Sequence, residues 1–85
     1  MSSHIKQDIS IGENLKALRN KRRLSQEDVA IKLQTRRIPV IRETVSQMEA
    51  GRHSVRVSTL LVMAELYNAK FEDFFAGLNI SEIID

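Results

Sequence analysis

Apolar residues in this chain recur three and four positions apart, in blocks of at most thirteen residues, each fenced by a start or stop signal. That pattern constrains the fold more than any other feature, because it suits short helices packed against one another. The longest uninterrupted apolar runs are Leu60-Leu61-Val62-Met63-Ala64 and Ile38-Pro39-Val40-Ile41. Both fall far short of the roughly 20 residues that span a bilayer. The 85 residues suffice for one small domain. Three Gly and one Pro leave little material for a turn-rich β protein, and the absence of Cys excludes a disulfide framework and thiolate chemistry.

The spacing predicts five helices. Ser10-Ile11-Gly12-Glu13 fits a capping box and opens a helix over about 10–22, with Ile11, Leu15, Leu18 and Arg22 on one face and Lys16, Arg19, Asn20 and Lys21 outside. Ser25-Gln26-Glu27-Asp28 starts a second over 25–34, whose acids complement the helix dipole and whose buried face is Val29, Ala30 and Leu33. Pro39 breaks the next stretch into a connection. A third helix over 42–50 points Val45 and Met48 inward and Arg42, Glu43, Thr44 and Gln47 outward, and Gly51 stops it. Residues 52–56 form a basic loop. Leu60, Leu61, Met63, Ala64 and Tyr67 mark a fourth helix over 58–68, and Phe71, Phe74 and Phe75 a fifth over 71–77. The expected fold is an all-α, compact five-helix bundle over 10–77, with an N-terminal arm at 1–9 and a tail at 78–85.

The net charge of +2 conceals an asymmetry. Residues 1–56 carry twelve Lys/Arg against six Asp/Glu, a balance of +6, while residues 57–85 carry one Lys against five acids, a balance of −4. The first portion suits a polyanion, although such blocks also occur as solvated faces.

The ordered set Leu24-Ser25-Gln26-Glu27-Asp28-Val29-Ala30, Thr44-Val45-Ser46-Gln47-Met48-Glu49-Ala50-Gly51 and Leu60 through Phe75 resembles the lambda-repressor-like (Xre-type) helix-turn-helix family over about residues 11–76. The resemblance implies a DNA-binding domain whose third helix enters the major groove. Carried over onto this chain, Arg42, Glu43, Thr44 and Gln47 face base edges. Arg suits guanine O6/N7, Gln suits adenine N6/N7, and Glu can accept from cytosine N4. Gln26 falls on the family's phosphate anchor at a helix N-terminus. Arg36, Arg37, Arg52, His53 and Arg56 flank the recognition helix and supply phosphate attraction without sequence preference. Arg19 and Glu49 match an internal ion pair beside the DNA, with Glu49 positioning Arg19 for a phosphate. The chain departs from the family pattern twice. Gln34 stands where a Gly usually opens the turn, with a connection about five residues longer, and Ile41 stands where a capping Ser or Thr is expected.

Ile80, Ile83 and Ile84 in the tail have helical spacing. They either pack back on the core or form, with Phe75, the contact of a homodimer. The function implied is a sequence-specific transcriptional regulator, a homodimeric repressor of double-stranded DNA. The alternative is an antitoxin or other protein-interaction module that binds a partner protein and autoregulates its operon. No cofactor, metal or catalytic group is implied: His4 and His53 lack companions at metal-ligand or triad spacing. The start Met1-Ser2-Ser3-His4 lacks the apolar core of a signal peptide, so the expected setting is cytoplasmic. No effector domain for a small molecule is expected.

Overall fold

A computed structural model describes residues 4, 5, 7 and 9–78. Among them are four α-helices: α1 (Gly12–Lys21), α2 (Gln26–Thr35), α3 (Arg42–Glu49) and α4 (Val57–Tyr67). A 3-10 helix follows at Phe71–Phe75, and two short strands, β1 (His4–Ile5) and β2 (Val55–Arg56), complete the set. The four helices and the 3-10 segment enclose one core. Ile11 and Leu15 of the first helical stretch meet Val29, Ala30 and Leu33 of α2, Val45 and Met48 of α3, Leu60, Met63 and Tyr67 of α4, and Phe74.

The expected fifth α-helix is not formed, so the five-helix bundle becomes four helices and a turn of 3-10. Phe71 and Phe74 explain the tighter winding. Residues three apart eclipse in a 3-10 helix, and these two rings meet edge to face at 6.1 Å. Asp73 closes the turn by accepting from the Lys70 N–H at 2.9 Å, and Asn14 of α1 holds it by donating to the carbonyls of Phe74 and Ala76, both at 2.9 Å.

One helix start also differs from expectation. Ser10 and Glu13 form no capping box: the Ser10 hydroxyl accepts from Gly12 N–H at 3.0 Å and the cap position is Ile11. The reciprocal box forms at α2, where Ser25 Oγ accepts from Asp28 N–H and Asp28 Oδ2 accepts from Ser25 N–H, both at 2.9 Å. These bonds to Ser25 hold the Asp28 carboxyl below its ordinary pKa. Leu61 of α4, expected inside, is 47% exposed, and Thr59 is buried in its stead.

All four α-helices end alike. An N–H two or three positions past the last helical residue bonds back to a carbonyl five residues earlier: Leu24 to Arg19, Ile38 to Leu33, Arg52 to Gln47 and Ala69 to Ala64. Each such turn needs one left-handed residue. Gly51 supplies it after α3, but Arg23, Arg37 and Asn68 take positive φ at the others.

The basic loop at 52–56 is not free coil. Val55 is fully buried, and β1 pairs with β2 antiparallel, His4 opposite Arg56 and Ile5 opposite Val55. Close backbone approach sets the position of this end of α3. Gly12 lies against its last residue, where an added Cβ would sit 2.6 Å from the Glu49 carbonyl carbon and 3.0 Å from the Gly51 nitrogen. Gly12→Ala is therefore expected to lower unfolding free energy by about 2–3 kcal/mol. Gly77→Ala, where the added carbon meets nothing within 4 Å and only positive φ is strained, should lose about 1 kcal/mol. Urea denaturation of both variants checks the difference.

Candidate nucleic-acid interface

Polar residues on an eight-residue helix gain a common direction only if the helix is fixed from behind, and α3 is fixed by its last residue. Glu49 accepts from Arg19 Nε at 2.7 Å through Oε2 and from Arg19 Nη2 at 3.0 Å through Oε1. Both side chains are buried, 9% and 4% exposed. Arg19 Nη1 donates to the Leu24 carbonyl at 2.7 Å, which ties the pair to the turn before α2. The hydrogen bond to Glu49 outweighs desolvation and raises the Arg19 pKa further, so the pair stays ionic. The apolar spacing of α1 places Arg19 outside, and the structure buries it. Three of its donors are directed inward.

Gln26 opens α2 beside this pair and donates to Glu49 Oε1 at 3.1 Å. It is half-buried, and with Arg42, Glu43, Ser46 and Gln47 it lines a shallow depression of about 110 Å³. Positions 42, 43, 46 and 47 form one face of α3 by helical spacing. Arg42, Glu43 and Gln47 are exposed. Arg42 lies between two acids, 3.9 Å from Glu27 and 3.4 Å from Glu43, in exposed pairs worth little to stability. Ser46 joins this face although sequence reasoning passed over it; its place four residues after Arg42 is the signal that locates it.

Thr44 sits apart from that face. It is half-buried, and its hydroxyl accepts from Ile41 N–H at 3.4 Å, so Thr44 supplies from inside the helix half of the cap that Ile41 cannot. Ile41 itself is 57% exposed. The longer connection is fastened by the residue that replaces the usual Gly: Gln34 Nε2 donates to the Val40 carbonyl at 2.8 Å, and Val40 is buried. A tight turn around Pro39 joins Val40 N–H to the Ile38 carbonyl at 2.9 Å.

The flanking cations are placed unequally. Arg36 reaches across to α4 and pairs with Glu65 at 3.0 Å, both exposed. Arg37 occupies the left-handed position after α2 and is exposed. Arg52, His53 and Arg56 are exposed just beyond the end of α3, with His53 Nδ1 2.6 Å from the Ser54 carbonyl. Phe75 is 43% exposed at the far end of the chain, and Ile80, Ile83 and Ile84 lie outside the described residues.

A family model described as a helix-turn-helix domain matches residues 10–73, about three quarters of the chain. The chain belongs to the helix-turn-helix domain family. The match is consistent with the Xre-type resemblance of its sequence. No curated protein and no solved structure matches the chain significantly. The helix-turn-helix domain points to a DNA-binding regulator, and domains of this family are typically not enzymes. No helix among the described residues is long and apolar enough to cross a membrane.

The ion pair makes two expectations for this helix-turn-helix protein. Arg19→Met leaves the Glu49 charge buried without its partner and should lower unfolding free energy by about 3 kcal/mol. The double variant Arg19→Met/Glu49→Met should lose clearly less than the two single losses together, as read by a denaturant double-mutant cycle. Tyr67, beside the pair, is a different case. Its hydroxyl is buried with no hydrogen-bond partner among the described residues, and burial together with the Glu49 charge pushes its pKa well above the ordinary value. Removing an unpartnered buried hydroxyl relieves its desolvation, so Tyr67→Phe should hold or raise stability by up to about 1 kcal/mol in the same measurement.

Proposed function

We propose that the chain is a sequence-specific transcriptional regulator, a homodimeric repressor that lays α3 in the major groove of double-stranded DNA. The observation that carries this reading is the single outward face of α3, with Arg42, Glu43, Ser46 and Gln47 above a depression edged by Gln26. Eight residues make a helix about 12 Å long, and a helix with its side chains is about 10–12 Å across, which fits a groove about 12 Å wide. Arg42 and Gln47 read guanine and adenine edges. Glu43 accepts from cytosine, and Thr44 contributes from the side of the helix. Gln26 anchors a phosphate at the start of α2, while Arg36, Arg37, Arg52, His53 and Arg56 supply attraction without sequence preference. Arg19 acts through Glu49 and Gln26, by fixing where they stand.

Residues 10–77 are the DNA-binding domain in this reading, 1–9 its arm and 78–85 a dimerising tail. Phe71, Phe75 and Leu78 are exposed where the described chain ends. Three isoleucines follow in the sequence, at positions 80, 83 and 84. A second copy covers this end and presents its own α3 to a half-site about 34 Å away. The acidic portion of the chain then lies away from phosphate. The protein acts in the cytoplasm, at promoters, by occupying its site.

Selection of bound duplexes from a random pool should return a two-fold palindrome, and light scattering should give the mass of two chains. No enrichment would favour a protein-interaction module, and a mass of one chain unchanged by DNA would remove the dimer. On the selected duplex, Gln47→Ala is expected to lose about 1–3 kcal/mol of discrimination at one base step, with random-sequence binding nearly intact. Arg52→Ala should weaken all sequences alike and flatten the salt slope by about one. Identical behaviour of the two variants would dissolve the division between readers and anchors.

A further inference from the structure

We infer that Gln7 is a positioning residue for DNA binding: its side-chain amide holds the loop at 52–56 in the shape that presents Arg52, His53 and Arg56 to phosphate. The inference rests on the reading of that loop as a phosphate contact. Gln7 lies in the arm, far from α3 in sequence, and its amide is fully used. Nε2 donates to the Met48 carbonyl at 3.1 Å and to the His53 carbonyl at 2.7 Å. Oε1 accepts from Ile11 N–H at 3.0 Å and from Ser10 Oγ at 3.4 Å. One side chain thus joins three segments: the start of α1, the last turn of α3 and the loop.

Its surroundings show a second fastening of the same loop. The Ser10 side chain packs on Gly51, leaving no room for a Cβ at that left-handed position. The backbone of β1 pairs with β2, so the loop is held at Met48 and His53 by Gln7 and at Val55 and Arg56 by the strand. Within the loop, Arg52 N–H is bound to the Gln47 carbonyl at 2.9 Å. Exposed arginines on a free loop lose side-chain and backbone entropy on meeting a phosphate. A loop already fixed avoids that loss when DNA binds. Gln7 needs no contact with DNA to exert this effect.

The test uses the full chain, amide hydrogen exchange, and binding to a random-sequence 24-base-pair duplex well below the unfolding temperature. Gln7→Met should speed exchange of the loop amides at least tenfold, leave those of residues 45–49 unchanged, and weaken duplex binding three- to tenfold. A role confined to overall stability would leave loop exchange and folded-state binding alone. If Gln7→Met fails to fold, Gln7→Glu serves instead: it keeps the oxygen that accepts from Ile11 and lacks the two donors, so the same loosening and weakening are expected with α1 intact. Unchanged loop exchange overturns the inference. So does a loosened loop with binding within twofold of the parent while Arg52→Ala weakens it, a result that spares the reading of the loop. If Arg52→Ala also leaves binding unchanged, the loop is no phosphate contact, and the DNA role of Gln7 falls with that reading.

Discussion

Glu49 is where the domain is joined. Its carboxylate takes two bonds from Arg19 of α1 and one from Gln26 of α2, and its backbone lies against Gly12 at the other end of α1. A buried ion pair is not in itself a source of stability, because desolvation offsets much of the attraction. Its value here is geometric. The planar guanidinium meets both carboxylate oxygens, and its third engaged donor reaches the Leu24 carbonyl, so the end of α3, the body of α1 and the start of α2 share one fixed point. An apolar pair of similar volume would fill the space without fixing a direction.

That fixed point leaves the rest of α3 free to be polar. Only Val45, Met48 and Glu49 of its eight residues are buried. Such a helix does not stand alone in water, since helices this short are marginal even with favourable residues. It is held by two buried apolar side chains, the ion pair at its end, and a cap split between Ile41 and Thr44. The outward face can therefore change its residues with little effect on the fold.

The sequence makes α2 and α3 legible because burial and periodicity agree there. Val29, Ala30 and Leu33, then Val45 and Met48, are the positions the spacing selects, and all are buried. It misleads where one physical effect overrides another. Arg19 reads as a surface cation, since periodicity carries no information about a partner thirty residues away; the family pairing with Glu49 is the only signal for it. Leu61 reads as core because a run of five apolar residues cannot say which of them faces solvent. The strand pair is invisible, because two residues on each side give no alternation to detect. Gln7 likewise carries no local signature: a glutamine in a polar arm becomes informative only when two distant carbonyls and one nearby amide converge on it.

The long connection between α2 and α3 raises the question of what sets the angle of α3. Closing a longer loop costs little, since each doubling in length adds only about 0.6 kcal/mol of closure entropy. The angle is therefore decided by what packs, and the packing is set outside the connection: Leu33 lies before it, Val45 and Met48 after it, all buried, with Glu49 tied to Arg19. The connection adds its own anchor, because Val40 is buried and Gln34 holds its carbonyl. A glycine at position 34 could not make that bond. The length of the connection and Gln34 thus act together: a long connection needs a fastening, and the Gln34 side chain provides it at the Val40 carbonyl.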